Sequence, residues 1–340
     1  MPRSFYAILS NLMDIVVLSH DDVTSLLPMG DCIELMSEAL SALARGEVTN
    51  PLRSVVRPEG TRHFFGLMPA YRGGGNPAYA LKEVCIFPDN PRKGLDAHQG
   101  AVLLHSAEDG QILAVMNASA ITAIRTAAVS GLATRLLARD DATELAIVGT
   151  GVQARAHLDA MATAGEFEHV RIAGRTPSKA QAFVSELSPK YKFRMEAMDG
   201  AEPAVRGADV IVTATNSAEP VIRREWVKVG AHINAVGSCS PRMRELDTET
   251  VVASTFFVDR RESALNEAGD YLIPASEGAV GPGHIRAEIG QLLIGEELGR
   301  GFPEEITIFE SQGIAIEDLA AAQFLYRKAI EKGVGTRVPF

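Results

Sequence analysis

Apolar residues along this chain follow two rhythms, and the change between them falls near residue 140. From 19 to 48, Cys32, Ile33, Met36, Ala39, Leu40 and Leu43 share one face at helical spacing, which predicts a helical region. Segments 53–57, 63–68, 78–87 and 100–105 then read as strands, the last returning through Asp109-Gly110 into 111–116. They predict a curved, mainly antiparallel sheet, followed by an Ala-rich helix over 117–139. Beyond that helix come short, apolar-rich runs at 145–148, 169–173, 209–214, 231–237, 255–259 and 306–309, the first of them wholly apolar, alternating with helical stretches. Strands buried on both faces of a parallel sheet need such runs. The expected fold class is therefore α/β, a doubly wound parallel sheet beside an α+β domain, with a helix at 316–332 returning to the first domain.

The run Leu145-Ala146-Ile147-Val148 stops at Gly149-Thr150-Gly151, and helical spacing resumes from Gln153 to Ala164. Gly149, Gly151 and Ala154 thus form a GxGxxA turn between a strand and a helix, with a second strand at the distance a βαβ unit requires. Glycine at the first two positions lets the N–H groups around Val152 and Gln153 approach a pyrophosphate at the positive helix end, and Ala154 permits close helix–strand packing. This is the signature of a Rossmann dinucleotide-binding domain. At the end of the second strand an NAD site would place an acid, whereas this chain reads Gly174-Arg175-Thr176, followed by Lys179. Arg175 can stack on adenine and fork onto a 2′-phosphate, with Thr176 as hydroxyl donor and Lys179 as a point charge, so NADP(H) is expected and NAD(H) is the alternative. Ligands bind outside the carboxyl ends of such strands, which assigns Thr213-Ala214-Thr215 and Val236-Gly237-Ser238 to the nicotinamide end.

Composition narrows the classes. At 340 residues two domains are expected, and 46% hydrophobic with 22% charged residues is ordinary for a soluble globular chain. A net charge of −10 argues against nucleic acid or an anionic membrane as partner. Cys32, Cys85 and Cys239 have no metal spacing and suit a reducing cytoplasm, so neither a metal site nor a disulfide framework is expected. The first 12 residues are read as a short extension, since Asp14 interrupts any signal-peptide pattern.

Three basic residues sit where a core resists them. Arg53 and Lys82 lie in strand-like segments among apolar neighbours, and spacing alone favours side chains that reach solvent at a sheet edge. Arg125 is enclosed by Ile121, Ala128 and Val129 at helical spacing and needs an anionic partner.

The stretches LLPMGDCIE, ITAIRTAAVSGLATRLLAR, GTGVQAR, EWVKVGAHINAVG, SPRMREL and SQGIAIED together resemble the ornithine cyclodeaminase and mu-crystallin family from about Asp14 to the C-terminus. The resemblance implies a homodimer in which 13–124 with 315–340 forms a substrate-binding and dimerisation domain and 125–314 the NAD(P)-binding domain. It further implies that Arg53 and Arg125 grip a substrate α-carboxylate and that Lys82 stands beside the reacting carbon, reversing the solvent-edge reading. Glu267 and Asp318 fall in matching blocks.

Cys239 is the informative departure. Cyclodeaminases of this family carry an Asp there, in a GGDCPGK pattern, whereas this chain reads GSCSPRM. A small buried packing residue is the expectation for Cys239. Cyclodeamination needs a well-placed base, while reduction of a cyclic ketimine carboxylate needs a clamped carboxylate, a polarised C=N and a hydride donor. The sequence therefore points to an NADPH-dependent ketimine reductase acting on 1-pyrroline-2-carboxylate or 1-piperideine-2-carboxylate. Ornithine cyclodeaminase, alanine dehydrogenase and an NADPH-retaining small-ligand binding protein stand as alternatives.

Overall fold

The structure is a computed structural model and describes residues 14–340; the expected extension at 1–12 lies outside the described residues. The chain divides into two compact units, one made of the segments ending at Pro28, Glu47–Thr122 and Asp318–Phe340, the other of Met29–Gly46 and Ala123–Glu317.

In the first unit an eight-stranded sheet runs in the order Thr336–Pro339, Asp14–Leu18, Ile112–Asn117, His98–Ser106, Ala78–Ile86, Phe64–Arg72 and Val48–Thr49, with Ser54–Val56 also on Phe64–Arg72. Three nine-residue strands form its antiparallel centre, and Asp14–Leu18 joins Ile112–Asn117 in parallel. Alternation sends Ala78, Ala80, Lys82 and Val84 to the same buried face. Register then sets Lys82 between Met68 and Val102, both buried. Its side chain is therefore inside, and the solvent-edge reading fails because Lys82 is in phase with its apolar neighbours. The strand Thr336–Pro339 was not legible, since all four of its residues are exposed and carry no alternation.

The helical region expected over 19–48 is two helices, His20–Leu26 and Met29–Ala44. Ser19 caps the first through a capping box with Asp22. Pro28 pulls Leu27 out of helical geometry, to φ −117° and ψ 77°. The second helix belongs to the second unit, where it packs on Ile289–Leu293 and Val152–Ala164.

In the second unit eight strands, all parallel, run in the order Arg194–Ala197, His169–Ala173, Glu144–Val148, Val210–Thr213, His232–Ala235, Ile306–Glu310, Ser254–Val258 and Ile285–Glu288. The first six keep the Rossmann order, with its reversal between Glu144–Val148 and Val210–Thr213. Ile147, Val212, Ile233, Phe256 and Phe309 are fully buried, as strands covered on both faces require, and the polar positions Thr213, His232, Asn234 and Thr307 are sealed with them. Ile285–Glu288 escaped notice because only two of its four residues are apolar.

Two buried histidines make this unit acid-sensitive. His157, in the helix after the glycine turn, has Nδ1 2.8 Å from the Gln153 carbonyl and Nε2 2.9 Å from Ser130 Oγ, so the neutral ring donates to the carbonyl and accepts from the hydroxyl. Burial pushes it down to about 4, and burial with the Arg300 charge pushes His232 down to about 3. Below the ordinary value of 6.5 the unfolded chain takes protons that the folded chain refuses. The stability these groups contribute is thus complete above pH 6.5 and lost as pH falls toward 4. The loss for His157 is on the order of 3 kcal/mol. Denaturant titrations between pH 7 and about 4 should show a shallower fall for His157→Gln than for the parent chain; parallel slopes would mean that the ring already charges in the fold.

Candidate functional site

Within the first unit Lys82 Nζ lies 2.7 Å from Asp318 Oδ2 and 3.4 Å from Thr122 Oγ1. Both charged side chains are nearly sealed, at 2% and 1% exposure. A lysine at the centre of a sheet face is tolerated only with such a partner. Asp318 comes from the first turn of the helix Ala315–Lys332, a position where the helix dipole also favours an acid. Arg53, half-buried, stands just before the strand Ser54–Val56 of the same unit.

Within the second unit Arg125 is 4% exposed on the helix Ala118–Leu137, and its Nη1 lies 2.7 Å from Glu317 Oε2. Glu317 is therefore the anionic partner that Arg125 needed, and it was legible only as the neighbour of Asp318 in the AIED block. The guanidinium lies against Gly313, where a Cβ would fall 2.4 Å from Nη1. Glu267, half-buried, ends the helix Arg261–Glu267.

The glycine turn has the form the sequence implied. Gly149 takes φ +141°, and a Cβ there would meet the Ala214 carbonyl oxygen at 2.4 Å, so only glycine fits at the strand reversal. Gly151 caps the helix Val152–Ala164 with open space above its Cα, and no acid occupies the first helical turn. Val152 is exposed, Gln153 half-buried with its Oε1 unpartnered, and Ala154 fully buried against the sheet. These N–H groups form a cradle fit for a pyrophosphate. Arg175, Thr176 and Lys179 are exposed just past the strand His169–Ala173, and a Cβ on Gly174 would press on Thr150 at 2.9 Å. The basic loop therefore lies against the glycine turn.

At the other strand ends, hydroxyls assigned to the nicotinamide face turn inward. Thr213 Oγ1 donates to Glu245 at 2.7 Å, and the Thr215 and Gly237 N–H groups donate to the same carboxylate at 2.6 and 2.7 Å. Ser238 Oγ donates to Glu310 at 2.5 Å. Ala214 and Val236 contribute backbone, Ala214 N donating to the Val148 carbonyl and Val236 N to that of Thr213. Asp270 in turn accepts from the Glu245 and Leu246 N–H groups, both at 2.8 Å. Burial raises Glu245, and burial with the Glu245 charge pushes Asp270 up to about 7. Burial and the Asp270 charge lift Glu310 well above the carboxylate range. None of these three acids was singled out from sequence, although Glu245 lies in the REL motif.

Cys239 corrects the expectation of a small buried residue. It is exposed, with Sγ 3.3 Å from the Val236 carbonyl and 3.5 Å from that of Ser311. Among the described residues no group of side chains could hold a metal ion, and no helix is long and apolar enough to cross a membrane.

Fold and site define a two-unit protein with a dinucleotide-type parallel sheet and two buried, carboxylate-paired bases. The sequence profile of the ornithine cyclodeaminase/mu-crystallin family matches residues 13–333, and the chain belongs to that family. A Delta(1)-pyrroline-2-carboxylate reductase of Bacillus cereus is 37% identical over 326 residues, covering 96% of this chain and all of the relative. The Thermococcus litoralis Delta(1)-pyrroline-2-carboxylate reductase, solved with NADH and L-proline, superposes with a TM-score of 0.92 at 39% identity, covering 95% of this chain and 100% of that one. An archaeal alanine dehydrogenase dimer with bound NAD gives a TM-score of 0.91 at 34% identity, covering 96% and 100%.

The Lys82–Asp318 pair makes a stability prediction. Asp318→Ala leaves a buried ammonium without its carboxylate and should cost about 3–5 kcal/mol in urea unfolding, whereas Lys82→Met with Asp318→Leu should recover most of that loss. A single-variant cost below about 1 kcal/mol would show that water reaches Lys82.

Proposed function

We propose that this chain reduces a cyclic ketimine carboxylate, 1-pyrroline-2-carboxylate or 1-piperideine-2-carboxylate, to proline or pipecolate with NADPH. The observation that carries the reading is full-length similarity to pyrroline-2-carboxylate reductases, one of them solved with NADH and L-proline. The absence of the cyclodeaminase Asp at Cys239 supports it. A nicotinamide cofactor supplies the hydride when bound, and Gly149, Gly151, Val152, Gln153 and Ala154 would hold its pyrophosphate. Thr213, Ala214, Thr215, Val236, Gly237 and Ser238 would shape the nicotinamide end through their backbone. Arg53 and Arg125 hold the substrate carboxylate. Lys82 polarises the C=N bond and delivers the proton to nitrogen as carbon accepts hydride; Asp318 keeps its ammonium in place. Glu267 is assigned to the same site on its sequence block. The reaction requires no nucleophile.

Arg175, Thr176 and Lys179 support NADPH, being exposed and basic where an NAD site would put an acid. A homodimer is proposed by analogy with the alanine dehydrogenase dimer, and a cytoplasmic location from the few, unpaired-in-spacing cysteines. The similarity to alanine dehydrogenase also favours a second reading, reductive amination of pyruvate.

The deciding assay follows NADPH and NADH oxidation with 1-pyrroline-2-carboxylate, beside pyruvate plus ammonia and beside ornithine plus NAD. Rapid oxidation with the imine and no ammonia from ornithine is expected; turnover with pyruvate or ornithine alone would replace the reading. Lys82→Ala should lower kcat at least about a hundredfold with cofactor binding kept. Arg175→Asp should weaken NADPH by about tenfold or more relative to NADH. Equal losses for both cofactors would remove Arg175 from 2′-phosphate recognition.

A further inference from the structure

The strands Ser254–Val258 and Ile306–Glu310 run parallel, with Val258 opposite Glu310, so their outgoing chains leave the sheet side by side. Asp259, the first residue past its strand, is 1% exposed. Its Oδ2 accepts from the N–H groups of Gln312 and Gly313 at 2.7 and 2.6 Å, and its Oδ1 from the Arg260 N–H at 2.7 Å. Two successive backbone donors converge on one carboxylate oxygen, a nest that fixes the conformation of the donor segment. That segment contains Gly313 at φ +70°, a left-handed conformation that must be held.

Arg125 is seated on this nest. A Cβ at Gly313 would lie 2.4, 2.9 and 3.0 Å from Arg125 Nη1, Nη2 and Cζ, so the guanidinium rests on the bare Cα. Glu317 fixes Nη1 from another direction at 2.7 Å. A guanidinium recognises a carboxylate through the direction of its planar N–H fork, so the surface beneath it decides which donors it presents.

We infer that Asp259 is a positioning residue for substrate carboxylate recognition, acting through the Gln312–Gly313 backbone to set the plane of the Arg125 guanidinium. The inference rests on the proposed role of Arg125. It explains why the loop after the strand needs glycine. It also selects a sharp variant. In Asp259→Asn one oxygen becomes an NH2 group, and whichever way the amide turns, a donor faces a backbone donor.

Two readouts test it. In protein labelled with 15N-arginine, the parent chain should show Arg125 guanidinium N–H resonances resolved by slow rotation, and these should broaden or average in Asp259→Asn and in Gly313→Ala, which displaces the guanidinium directly. In turnover, the preference for 1-pyrroline-2-carboxylate over its methyl ester, as a ratio of kcat/KM, should fall by about tenfold or more in both variants. The Kd for L-proline should rise in step, more than that for NADPH does. If Asp259→Asn does not fold, Asp259→Ser, which keeps an oxygen but not the carboxylate shared by both N–H groups, takes its place, and Gly313→Ala reports on the seat alone. Arg125 resonances unchanged from the parent in the folded variants would overturn the inference, whatever happens to activity. Altered resonances with an intact acid preference would instead overturn the assignment of Arg125 to the carboxylate and with it the role given to Asp259. A parent chain that reduces no imine would sink the functional reading while the resonances still report on the seat.

Discussion

One buried carboxylate holds the business end of the parallel sheet in shape. Glu245, fully buried, accepts from the Thr213 hydroxyl and from the N–H groups of Thr215 and Gly237, which leave two adjacent strands. Where parallel strands end, their last N–H groups lose their ladder partners and must be satisfied some other way. A single anion meeting three donors does this for both loops together. The approach is so close that a Cβ on Gly237 would fall 2.1 Å from the Thr215 carbonyl oxygen. Asp270 then holds the backbone of Glu245 itself. The carboxylate is costly to bury, but each bond to a charged group returns about 1.5–3 kcal/mol, so the arrangement persists only while all of its donors are present.

The same logic governs the bases. Glu317 and Asp318 are consecutive in the first turn of one helix, where successive side chains point about 100° apart. One answers Arg125 and the other Lys82, each within its own unit. Each acid is nearly sealed and meets a buried base, and neither base could stay buried without an anionic partner. Two adjacent acids in a helix whose first two turns are otherwise apolar are thus the counterpart of two bases lying far from them in sequence.

How much of this was legible depended on whether the signal was local. The glycine turn, the apolar strands and the Ala-rich helix follow from residues close in sequence, and their positions agree with the structure to within a few residues. The inward face of Lys82 was also written locally, in the phase of Ala78, Ala80 and Val84, but charge outweighed phase when spacing was read alone. What could not be read is the pairing of distant groups. Nothing in the sequence says that Asp259 meets the N–H of Gly313 or that Ser238 turns its hydroxyl toward Glu310, because those contacts arise from strand order rather than spacing. Cys239 failed for the related reason that a residue beyond a buried strand need not itself be buried.

Pre-paired bases also limit how a substrate can be chosen. Arg125 already has a carboxylate at 2.7 Å, and so does Lys82. Under the proposed assignment of Arg125 to the substrate carboxylate, an incoming anion meets a guanidinium whose charge Glu317 already balances in part. On the same proposal, discrimination draws on the direction of N–H groups held rigidly enough to match a planar carboxylate, since a bidentate fit loses its advantage when either partner turns. In such a site the residues that fix orientation matter as much as those that carry charge. On that proposal an acid such as Asp259, which accepts from the N–H groups of Arg260, Gln312 and Gly313, belongs to the account of recognition as fully as the arginine it steadies.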